Sequence, residues 1–85
     1  MAADPFDPEY KTMYADKDRC IRELHEARAI FGDRHTTRES YTQMQKCVGL
    51  ILIHCPEDIR VFAQSTFQES EMRKIYFEGL WRSRE

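Results

Sequence analysis

The sequence predicts an all-α fold, a small bundle of three or four helices arranged as antiparallel hairpins. Three observations carry this. Apolar residues recur every three or four positions along most of the 85-residue chain, the spacing of one helical face. The β-branched residues never alternate with polar ones over a useful length, so no strand signal competes. Finally, Cys55-Pro56-Glu57-Asp58 stops one periodic segment and starts another. Proline drives the residue before it out of the α region and suits the first turn of a helix, where the two carboxylates favour the N-terminal dipole.

The elements follow in order. Residues 1–7 are expected to form a flexible arm, in which Phe6 is either a local staple for the first helix or an anchor in a partner. Residues 8–85 are expected to form one helical domain. Asp7 is a good N-cap and Pro8 a good first helical residue; Tyr10, Met13, Tyr14, Ile21, Leu24, Ala27 and Phe31 then trace a heptad-like stripe that Lys17 interrupts. Gly32 is a natural C-terminal cap, and residues 36–39 supply a capping box in which the Thr36 hydroxyl and the Glu39 carboxylate satisfy free backbone amides reciprocally. The second helix, from about Thr37, carries Tyr41, Met44, Cys47, Val48, Ile51 and Leu52 at helical spacing. It is apolar nearly all round over residues 48–53, the expected core. The third helix begins at Pro56 and runs to about Arg82, with Ile59, Phe62, Ala63, Phe67, Tyr76, Phe77, Leu80 and Trp81 drifting round one broad face; alternatively Ser70 caps a separate fourth helix.

Composition narrows the function classes. With 41% hydrophobic residues the chain is too apolar to be disordered, and with 33% charged residues too polar to span a membrane. The net charge is −2 and no basic run exceeds two residues, whereas nonspecific nucleic-acid binding neutralises several phosphates from one face. Neither nucleic acid nor membrane is the expected partner. The start of the chain has no apolar signal core and no arginine-rich presequence, so a cytoplasmic or nuclear setting is expected. Three cysteines, an odd number, fit free thiols in a reducing compartment better than a disulfide framework.

The chemistry-bearing residues form no catalytic or metal motif. His25-Glu26 opens like the zinc-protease helix motif, but the second histidine it needs four residues on is Ala29. Cys20, His25, His35, Cys47, His54 and Cys55 include no two-residue cysteine spacing, and Gly32, Gly49 and Gly79 are isolated rather than part of a phosphate loop. Cys47 or Cys55 near His54 is the one candidate for a thiol nucleophile. No catalytic residue, metal ligand or cofactor site is therefore expected. The aromatic stretch over residues 75–82 has more functional promise, because tryptophan, tyrosine and arginine dominate interface energetics. Tyr76, Phe77, Leu80 and Trp81 either dock a partner or close the domain's own core against Tyr10, Met13 and Tyr14.

Residues 41–67 resemble the helical hairpin of the dimerization/docking domain found in regulatory subunits of cyclic-AMP-dependent kinase and related ciliary and sperm proteins. The residues that carry the resemblance are Pro56, Asp58, Ile59, Phe62, Ala63 and Phe67, preceded by Met44, Ile51 and Leu52. Ser40 and Cys47 stand where that family tends to have leucine and tyrosine. The resemblance implies an antiparallel homodimer, with the Phe-Ala face against a second copy, whose four-helix bundle receives an amphipathic helix. The expectation is thus a noncatalytic interaction or assembly subunit that binds partner helices through Ile51, Leu52, Ile59, Phe62, Ala63, Phe67, Tyr76, Leu80 and Trp81. A heteromeric subunit pairing through its first helix, or a small thiol- or zinc-dependent protein, are the alternatives.

Overall fold

The structure, a computed structural model, describes residues 4–84; the expected arm over residues 1–7 falls partly outside them. It is all-α, with α1 (Pro8–Met13), α2 (Lys17–Gly32), α3 (Arg38–His54) and α4 (Glu57–Arg84). Helices α2, α3 and α4 pack against one another as a three-helix bundle, and α1 lies against α3. Because α4 alone is 28 residues, about 42 Å of helix, the molecule is a slab of 40 × 30 × 16 Å rather than a sphere. Among the described residues, no helix is long and apolar enough to cross a membrane.

The expected first helix is two helices. Asp16, in extended backbone, turns the chain and caps α2 by accepting from the Asp18 amide at 3.0 Å. Three- and four-residue spacing persists across this break, so the apolar stripe runs on while the backbone does not. Asp7 caps α1, its carboxylate accepting from the Glu9 amide at 2.9 Å, with Pro8 in the first turn. Within residues 4–7 the Asp7 amide donates to the Asp4 carbonyl at 3.0 Å, and the Pro5 carbonyl lies 2.6 Å from His54 Nε2.

Two further local expectations shift, and of the two readings of the last helix the unbroken one holds. Helix α2 ends at Gly32, but its cap is Asp33 at φ −87°, and no described residue has positive φ, so the glycine is not a left-handed cap. The box at the start of α3 is displaced by one residue: Thr37, not Thr36, is the N-cap, and its hydroxyl accepts from the Ser40 amide at 3.1 Å. Helix α4 is continuous through Ser70. That hydroxyl donates back to the Phe67 carbonyl at 2.6 Å and accepts from Gln45 Nε2 at 3.1 Å, while the Ser70 carbonyl accepts the Tyr41 hydroxyl. A serine on the buried face is thereby satisfied across α3 and α4 instead of starting a new helix.

The core has two ends. Tyr14, Cys20, Leu24, Val48, Ile51, Cys55, Ile59 and Ala63 fill one; Phe31, Tyr41, Phe77 and Trp81 fill the other. In the second, Tyr41 is the hub, with ring centroids 4.8 Å from Phe31, 5.1 Å from Phe77 and 5.5 Å from Trp81, spacings typical of favourable aromatic pairs. The C-terminal aromatics therefore close the core against α2 and α3, not against Tyr10, Met13 and Tyr14, which sit at the opposite end; Tyr10 is 6.2 Å from the His54 ring.

Candidate interaction surface on the outer face of α4

The nine residues expected to bind a partner divide by burial. Ile51, Ile59, Ala63 and Trp81 are buried inside this chain's own core, so as partner-binding residues they are corrected to core residues. Leu52, Phe67 and Leu80 are half-buried and pack on that core. Phe62 and Tyr76 are exposed, at 57% and 53%. The face of α4 that carries Ile59, Ala63, Thr66, Ser70, Phe77 and Trp81 is used up by the bundle, because α4 is covered by both α2 and α3 along that side.

The opposite face holds what the sequence reading missed. Val61, Met72 and Ile75 are exposed at 76%, 76% and 80%, more than any residue of the expected set. At about 100° per residue, they share a stripe with Ser65, Gln68 and Gly79, half a turn from the buried one. Positions 61, 65, 68, 72, 75 and 79 alternate steps of four and three, the spacing of a coiled-coil seam. The signal was in the sequence, diluted by the small and polar residues at 65, 68 and 79 and overshadowed by the wider aromatic stripe beside it. A scattered exposed leucine means little, whereas here three large apolar side chains line up along one helix.

One side of the seam opens into a groove of about 290 Å³ between α2 and the first half of α4, lined by Ile21, Leu24, His25, Arg28, Ile59 and Phe62 among others. The Arg28 guanidinium lies 5.6 Å from the centroid of the Phe62 ring and 3.9 Å from the Glu69 carboxylate. It thus holds the exposed ring by its face while keeping its own charge compensated. At the groove's end Lys17 is ion-paired to Asp58. The hydrogen bond from Lys17 holds the Asp58 carboxyl below the usual carboxylate range. The groove is lined by the apolar side chains of Ile21, Leu24, Ile59 and Phe62 together with the charged side chains of Arg28 and Asp58.

The thiols point away from nucleophilic chemistry. Cys20 and Cys55 are buried and Cys47 is half-buried, all free. Burial pushes each thiol up, Cys20 to about 11, which disfavours the thiolate near neutrality. His54, the expected base, is turned to the Pro5 carbonyl. Among the described residues, no group of three or more His, Cys, Asp or Glu side chains is arranged to hold a metal ion. No family model, curated protein or solved structure matches the chain.

Proposed function

We propose that this protein is a noncatalytic assembly subunit that binds a partner helix along the outer face of α4. The observation that carries it is the exposure of Val61, Phe62, Met72, Ile75 and Tyr76 on one side of a single rigid helix. Covering a large aliphatic or aromatic side chain fully is worth about 1.5–3 kcal/mol, and a helix is already ordered, so little conformational entropy opposes docking. Three free thiols fit a reducing cytoplasmic or nuclear setting. The resemblance to dimerization/docking hairpins supports the same class of activity through a different face, since Ala63 is enclosed within one chain. The rival reading, pairing through the first helix, has less support: α2 spends Cys20, Leu24, Ala27 and Phe31 on its own core and leaves mainly Ile21 outside.

The test is site-specific photocrosslinking in cells, with a benzophenone amino acid at Met72 or Ile75 and, as control, at exposed Glu26 on α2. A discrete protein adduct is expected at the two seam positions and not at the control, and Ile75→Glu in the Met72 probe protein should abolish it. Adducts no stronger at the seam than at Glu26 would remove the reading.

A further inference from the structure

The seam on α4 is self-complementary when run against itself in the opposite direction. We propose that its occupant is a second copy of this chain, docked antiparallel with the two-fold axis level with residue 70; this rests on the reading of α4's outer face as a docking surface. Every seam position then meets one whose number sums with its own to 140. Asp58 faces Arg82 of the second copy, Val61 faces Gly79, Ser65 faces Ile75 and Gln68 faces Met72. Each apolar residue meets a small or unbranched one, and the layer that ends the stripe sets the Asp58 carboxylate, which Lys17 of its own chain already pairs, against a guanidinium. Parallel pairing would instead stack Asp58 on Asp58, Arg82 on Arg82 and Gly79 on Gly79.

The flanking positions add to the match. In an antiparallel pair, residues on the same side of the seam face one another across the axis, which brings Phe62 against Tyr76 of the second copy. These are the two aromatic rings that α4 leaves exposed. Glu69 and Glu71 face their own counterparts, a like-charge cost; Arg28 lies within 3.9 Å of Glu69 in each chain, and Lys74 lines the same hollow as Glu71. The seam drifts by about 20° per heptad on a straight helix, so the two α4 helices cross in the left-handed sense at about 20°.

Two structural facts fix on this occupant. Gly79 is an exposed glycine within a helix, and a Cβ built there meets nothing within 4 Å in its own chain. The fold gives no reason for a residue that weakens a helix by about 1 kcal/mol; a branched side chain arriving from outside does. Area is the other. Five large apolar side chains, each more than half exposed and each offering on the order of 100 Å² to water, bring about 1,000 Å² together from two copies, the threshold for a specific interface.

The experiment combines mass and register on the purified full chain. Light scattering over a range of concentrations should give twice the 10.2 kDa chain, and Ile75→Glu, at a position 80% exposed, should give a monomer with an unchanged circular dichroism spectrum. Separately made V61C and G79C proteins, both carrying Cys47→Ser, are mixed and oxidised. Positions 61 and 79 are about 27 Å apart along one helix, too far for an intrachain bridge, so a mixed disulfide reports the antiparallel register. A monomeric wild type, a dimer indifferent to Ile75→Glu, or V61C crosslinked mainly to itself would each overturn the proposal. The two readings fail separately. A seam photocrosslink to a larger, different protein keeps the assembly role and sinks self-pairing, whereas no seam crosslink at all sinks both.

Discussion

Trp81 shows at the residue scale how α4 is locked to the far end of α3. Its indole N–H donates to the Thr36 carbonyl at 2.9 Å, across 45 residues of sequence, and its ring lies 5.7 Å from Phe77 and 5.6 Å from the Arg38 guanidinium. Thr36 is buried, at 7% exposure, so water does not readily replace a lost donor there. Trp81→Phe keeps an aromatic ring and deletes the N–H; the orphaned carbonyl should cost about 1–3 kcal/mol, read from the urea midpoint. A loss of only a few tenths would show that the bond does not contribute. The size and apolar spacing of Trp81 were legible in the sequence. Its hydrogen-bond partner was not, because that depends on where the bundle closes. Ser70 teaches the same limit in reverse: a polar residue on an apolar face reads as a break until Gln45 and Tyr41 are found beside it.

At the scale of elements, capping chemistry located the ends of the helices to within a residue or two, and failed where periodicity ran across a break. Pro8 and Cys55-Pro56 mark boundaries as expected, and α2 ends at Gly32, one residue before its cap, Asp33. The turn at residues 14–16 was hidden because Tyr10, Met13 and Tyr14 continue in register with Ile21 and Leu24. Asp16 is the residue that makes the break, accepting from the Asp18 amide at 3.0 Å, and α2 carries four core side chains behind it. Asp16→Ala should therefore lower stability by about 0.5–2 kcal/mol in urea denaturation. Asp7→Ala, which uncaps a six-residue helix with no buried residue, should cost less. Equal losses would mean that α1 is held as firmly as the bundle. Among the helices, α4 was the least legible, since its two apolar stripes face opposite ways and only tertiary packing decides which one is spent on the core.

For the whole molecule, pH reports how the bundle closes at the α1–α2 junction. There the Cys20 thiol donates to the Tyr14 carbonyl at 3.2 Å, and both side chains are buried. Burial, helped by the Glu23 carboxylate, pushes the Tyr14 phenol from 10.0 to about 12; burial also raises the Cys20 thiol from 9.0 to about 11. Both groups are neutral when protonated, so above pH 9 the unfolded chain releases protons that the folded chain keeps. The state that holds more protons loses ground as pH rises. The stabilisation is complete below pH 9 and is lost as pH climbs through about 11 and 12. The urea midpoint should accordingly fall from pH 9 upward. Tyr14→Phe, which removes the phenol and keeps the ring, should flatten that fall above pH 10. It should leave the lower limb, which belongs to the thiols, in place. A slope above pH 10 identical in the variant and the wild type would show that the Tyr14 hydroxyl is solvated rather than enclosed where α1 meets α2.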